Sequence, residues 1–181
     1  LGDVYKRQGG INILDFQTMK FSHLKHISDD EQSLPNNSIY RLYKDQMDNI
    51  WIGSIHGGLF AIKKVFIKTY KDVPLNNPNG VSERTVVSIF EDKDTLLWIG
   101  TDGGGINSFD QKTNTFHHYP TTYGEKVTSI TNFSENELLL SCFNKGVFTF
   151  NKRTAQMQPF PIINDSISKR EFSSGDLVNL Y

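Results

Sequence analysis

The chain has 181 residues, about one domain's worth, and 19 Lys and Arg against 20 Asp and Glu leave a net charge of −1. That balance, with no basic stripe, excludes nucleic acid as the main partner, because phosphate binding needs a concentrated basic surface. Hydrophobic residues at 37% can build a core, while apolar runs such as 138–140 fall far short of a bilayer span. A single cysteine, Cys142, excludes an internal disulfide framework and any multi-cysteine metal site.

Residues 1–8 (LGDVYKRQ) match nothing later in the chain and read as a non-native or artefact segment, with no visible signal peptide. Repeat logic begins at Gly9: GGINILDF (9–16) and FSHL (21–24) form a leading partial copy. The first full copy, residues 37 to 62, lies over residues 84 to 109 at a shift of 47 with no gap. Trp51-Ile52-Gly53 meets Trp98-Ile99-Gly100, Asp45 meets Asp92, and Gly57-Gly58 meets Gly104-Gly105. A weaker copy follows 41 residues later at 127–150, with Leu139 where the tryptophans stood. GDLVNLY (175–181) resembles the start of another, so both ends look cut through a repeating unit.

Each unit reads as four short strands. An apolar, β-branched strand (NSIYRLY, RTVVSIF) meets an Asp/Asn turn, then the strand NIWIGS or LLWIGT. A glycine-rich turn leads to GLFAIK or GINSFD, and FIKTY, FHHY or MQPF is the fourth strand. Apolar residues of both parities, such as Val86, Val87, Ile89 and Phe90, require cover on both faces. Sheets stacked radially around a channel give that cover, and units of 41 to 50 residues fit propeller blades. The expected fold is all-β: an incomplete β-propeller arc of three to four four-stranded blades. The blade units are roughly 9–27, 37–71, 84–120 and 127–160, with the start of another at 175–181. Gly53 and Gly100, within strands, imply close approach by a neighbour, for which a tryptophan is the expected candidate.

The pattern at 84–110, an apolar strand ending in Glu91-Asp92, then LWIGT, then GGGINSFD, closely resembles the two-component regulator propeller repeat. The copy at 37–63 fits in YKD, IWIGS and GGLF, whereas the third departs with LLLSC and Asn132-Phe133. The resemblance implies a blade of a seven-bladed ring in the periplasmic sensor part of a hybrid two-component system. It implies recognition of oligosaccharides and control of a linked histidine kinase through a phosphorelay. The implied partners are further blades and downstream signalling domains of the parent chain. No kinase phosphoacceptor helix or nucleotide-binding loop occurs in this sequence.

Candidate chemistry is weighed against architecture. Trp51 and Trp98 could stack on sugars, but identical placement in an apolar strand favours packing between blades. Asp45 and Asp92 open Asp-rich turns, which favours turn capping over acid–base work. His117 and His118 point to opposite faces of a strand, and His23, His26 and His56 lack ligand-spaced partners. Gly103-Gly104-Gly105 lacks the lysine and helix of a phosphate loop, and Ser141-Cys142 lacks a base. No catalytic residue, cofactor or metal is expected. Structural repeat positions are Trp51, Gly53, Gly58, Trp98, Gly100 and Gly105. Binding should use positions where repeats differ, on the face shared by the strand two–three turns and the connections between blades. Those connections include Ser82-Glu83-Arg84 and 123–126, and the candidates are His56, Arg84, Asp102 and Lys126. The alternatives are a catalytic propeller, lyase-like or polysaccharide-cleaving, and a purely structural blade stack that pairs with itself as a homodimer.

Overall fold

The computed structural model describes residues 9–30, 33–63, 66–120 and 126–161. Segments 1–8 and 175–181 lie outside the described residues. Fourteen strands and no helix occur among those described. They are β1 (Ile11–Asp15), β2 (Lys20–Leu24), β3 (Ile39–Lys44), β4 (Ile50–Ser54), β5 (Leu59–Lys63), β6 (Phe66–Tyr70) and β7 (Val86–Glu91). There follow β8 (Leu96–Thr101), β9 (Ile106–Asp110), β10 (Thr115–Tyr119), β11 (Val127–Asn132), β12 (Glu137–Cys142), β13 (Gly146–Asn151) and β14 (Met157–Pro159).

Three four-stranded antiparallel meanders, β3–β6, β7–β10 and β11–β14, follow the two-stranded sheet β1–β2. Each meander is a blade. Its first strand packs against the first strands of its neighbours: β7 contacts β3 and β4, and β11 contacts β7 and β8. First strands therefore line the inner, channel side of an incomplete propeller, and fourth strands form the rim. In all three blades the ladder between first and second strands skips one residue. The bulged residue is Tyr40, Val87 or Thr128, each at the same repeat position.

Two clusters of buried side chains fill the junctions between the three full blades, and a third, of Ile11, Leu34, Ile52 and Phe60, joins the leading sheet to the first of them. Trp51, Tyr70, Phe109 and Phe116 mesh where the first blade meets the second. The Trp51 and Phe109 rings lie 5.4 Å apart at 67°, and Phe109 stacks on Phe116 at 4.3 Å. Burial in this cluster pushes the Tyr70 hydroxyl up to about 12. Trp98, Leu138, Leu140 and Phe150 build the next junction, with Tyr119 packed against them. Ring pairs of this kind stabilise by about 0.5–1.5 kcal/mol beyond their area burial.

The strand glycines are tight for a different reason from the tryptophan contact expected. A Cβ on Gly53 would lie 2.7 Å from Val86 Cγ1, and one on Gly100 would lie 2.6 Å from the Val127 carbonyl oxygen. The valine that opens the next blade's first strand stands at both glycines, with the Ser88 hydroxyl nearer still to Gly100, and no indole is among these nearest atoms. Bulky β-branched side chains bring the blades into register, and the glycine makes room for them.

Candidate functional site

The two ends of the arc differ in kind. At one end lie the turns between first and second strands, anchored by repeated aspartates. Asp45 accepts hydrogen bonds from the Met47 and Asn49 backbone N–H groups, the Asn49 amide and the Trp51 indole N–H, at 2.8 to 2.9 Å. Asp92 accepts from the Asp94 and Leu96 N–H groups and from the Trp98 indole at 3.0 Å. Burial pushes the Asp45 carboxyl upward, but its donors outweigh that and hold it below the ordinary carboxylate value. Both tryptophans are buried. Their shared spacing, aspartate then indole six residues later, is a sequence signal for this bond. The end is occupied by structural hydrogen bonds.

The blade junctions near this end carry charge. Lys152 Nζ reaches Asp92 Oδ2 at 3.2 Å, and Lys93 pairs with Glu135 at 3.0 Å. At the preceding junction Glu91 accepts the Gln46 N–H at 2.9 Å and faces Asp45. Burial raises its carboxyl first, and the charges of Asp45 and Asp92 add to the rise.

The opposite end holds the turns between second and third strands. His56, Gly103 and Asn144 occupy one repeat position, all with positive φ, at 60°, 103° and 60°. The glycine that follows, Gly58 or Gly105, is also left-handed at φ 78°. The preceding position changes chemistry from blade to blade: Ile55, Asp102, Phe143. In each blade its N–H donates to the carbonyl of the residue just before the first strand, Ser38, Thr85 or Lys126. Blades are also stitched together here, since the Gly58 N–H donates to the Arg84 carbonyl at 2.7 Å and Asp102 bridges Lys126.

Of the four candidate residues, the structure brings two into contact. Lys126 Nζ lies 3.1 Å from Asp102 Oδ2, with side chains 25% and 43% exposed. Lys126 also stands 5.1 Å over the Tyr40 ring, which the sequence reading did not single out. Phe143, half-exposed, is tied to the same place by its N–H bond to the Lys126 carbonyl at 2.9 Å. Arg84 joins through its backbone, while its side chain lies loosely, at 4.0 Å, beside Glu83. His56 donates its backbone N–H to Thr85 Oγ1 at 3.4 Å. Both stand where the repeats differ, with counterparts Val87 and Thr128 for Tyr40 and Ile55 and Asp102 for Phe143, but only the bulge brings Tyr40 to the site. Residues 121–125 of the last connection lie outside the described residues.

Other candidates sit elsewhere. His118 Nε2 donates to the Gly80 carbonyl at 2.8 Å on the rim strand β10, and His117 beside it is exposed. Ser141 Oγ bonds Thr128 Oγ1 at 2.7 Å beside the buried Cys142. Among the described residues, no group of three or more His, Cys, Asp and Glu side chains could hold a metal ion.

Comparison with known proteins agrees with this architecture. The two component regulator propeller family model matches residues 33–56 and 80–103, so the chain carries that repeat in its first two full blades. No curated protein sequence matches significantly. Among solved structures, the extracellular domain of BT4673 from B. thetaiotaomicron is similar, with TM-score 0.68 and 21% identity over 90% of this chain. It is described as a one component system in one structure and a hybrid two component system in another. Virginiamycin B lyase from Staphylococcus aureus superposes with TM-score 0.64 at 16% identity, over 88% of this chain and 50% of the lyase. PorZ of Porphyromonas gingivalis, a surface component of the type-IX secretion system, gives 0.61 at 12% identity, over 93% of this chain and 26% of PorZ. At these identities the likeness is one of fold. The chain spans 21% of the length of the BT4673 domain.

Proposed function

We propose that the chain is a non-enzymatic sensor segment of a hybrid two-component signalling protein, standing outside the cytoplasm. In this reading the end of the arc bearing His56, Arg84, Asp102 and Lys126 recognises an oligosaccharide. Binding there changes how blades sit against one another and biases a linked histidine kinase.

One observation carries the proposal. Residues shared between repeats are spent on the core and the aspartate-anchored turns, whereas residues that differ converge from three blades at one place. Tyr40 comes from the first blade, Asp102 from the second, and Lys126 and Phe143 from the third. A half-exposed Phe143 and a partly buried Tyr40 beside paired donors and acceptors suit a polyhydroxylated ligand, which offers an apolar ring face and directional hydroxyls. The repeat family and the hybrid two component description of the BT4673 domain support the signalling context.

Calorimetry of the sensor domain against an oligosaccharide panel tests it. Saturable binding, weakened by Lys126→Ala with the ligand chemically unchanged, is expected. Conversion of an oligosaccharide to a cleaved product would instead place the protein among catalytic propellers.

A further inference from the structure

The face that diverges between repeats carries one polar pair held across a blade junction, and its composition bears on which ligands can enter. Lys126 immediately precedes β11 and Asp102 immediately follows β8. The backbone bridge between them fixes both Cα positions, so the 3.1 Å ion pair rests on a tethered frame. Tyr40 is the bulged residue of β3, and a bulge re-aims its side chain relative to the ladder. That aim brings the Tyr40 ring within 5.1 Å of the Lys126 ammonium. The ammonium is thus held between a carboxylate and an aromatic face.

We infer that Asp102 is a specificity-determining residue that makes this site select neutral saccharides and reject acidic ones. The inference rests on the proposed recognition of oligosaccharides at this end of the arc. A uronate or sulfate brought to Lys126 meets the Asp102 carboxylate already there, and like-charge juxtaposition opposes it. A neutral sugar meets no such opposition. Its hydroxyls donate to Asp102 and accept from Lys126 while its apolar face lies on the exposed Phe143 ring. Rejection built from a repulsive group is the usual way specificity is obtained when attraction alone does not discriminate. Repeat counterparts of Asp102 are Ile55 and Phe143, and those of Lys126 are Ser38 and Thr85, so neither charge is required by the blade itself.

The test is a two-by-two titration of wild type and Asp102→Asn, with xylohexaose as neutral probe and a galacturonate hexamer as acidic probe. Wild type should bind xylohexaose and leave galacturonate at least about tenfold weaker. Asp102→Asn frees the ammonium and should raise galacturonate affinity by about tenfold, a gain of about 1.4 kcal/mol, while xylohexaose, which loses a carboxylate acceptor, binds no more tightly than to wild type. Adding Lys126→Ala to that variant should abolish the gain. Equal binding of both probes by wild type, or no gain in Asp102→Asn with its unfolding midpoint intact, overturns this inference alone. Binding of neither probe by either protein overturns the recognition reading and the inference together.

Discussion

Lys152 stands against Asp92 across the junction of the second and third blades, whereas Gln111, at the same repeat position one blade earlier, approaches Glu91. The Gln111 amide nitrogen is 3.5 Å from Glu91, and its buried oxygen has no partner among the described residues. One junction balances its buried carboxylate with a cation, and the other does not. Gln111→Lys should therefore stabilise the protein by about 1 kcal/mol, seen as a rise of a few degrees in the unfolding midpoint. No rise, or a fall, would show that the lysine cannot reach Glu91 as Lys152 reaches Asp92.

Glu91 also sets a pH dependence. Burial, then the charges of Asp45 and Asp92, raise it above its ordinary 4.5, against the lowering effect of the Gln46 N–H. The native chain then holds this proton to higher pH than the unfolded chain. Stability from this group is full below 4.5 and declines as pH rises through the native value. Glu91→Gln should remove that decline, so its advantage over wild type grows between pH 4.5 and neutrality. Chemical denaturation at several pH values measures the difference.

Asp45 has the opposite sign. Four donors hold it below 3.8 despite burial, so its contribution is present above that pH and is lost as pH falls through the native value. Asp45→Ala strands two backbone N–H groups and the Trp51 indole, and should cost about 2–4 kcal/mol. Asp45→Asn retains one acceptor and should cost less. Urea unfolding followed by tryptophan fluorescence gives both values.

Gly100→Ala should destabilise more than Gly53→Ala. The new methyl of the first collides with the Ser88 hydroxyl, itself hydrogen-bonded to the Val127 carbonyl, and meets that backbone carbonyl at 2.6 Å, which cannot turn aside. The methyl of the second meets Val86 Cγ1 at 2.7 Å first, a side-chain atom with some freedom, and the Val86 carbonyl at 3.0 Å. Costs of about 2–3 kcal/mol and about 1–2 kcal/mol follow from overpacking. Equal unfolding midpoints for the two variants would contradict this account of the junction.

Much of the fold was legible because the repeat supplies the same evidence twice. A strand pattern that recurs at a shift of 47 residues places Trp51 and Trp98, and the β3–β6 and β7–β10 meanders, without any coordinates. What lies between blades was not legible. The neighbour of Gly53 is 33 residues away at Val86, and that of Asp92 is 60 residues away at Lys152, with no pattern linking them in the chain. The candidate site was half legible for the same reason. Asp102 and Lys126 stand out as charged residues in unlike turns, but Tyr40 looks like an ordinary strand residue until the bulge turns it toward Lys126.

Hydrogen exchange of the backbone, with and without a saturating oligosaccharide, tests the central claim most directly. The account predicts slowed exchange at the divergent end, at the Gly58 amide that bonds across a blade junction and at the Asp102 and Phe143 amides that bond within their blades, and unchanged exchange at Met47 and Asp94 in the aspartate turns. Protection confined to the aspartate turns or to the rim strands would contradict it.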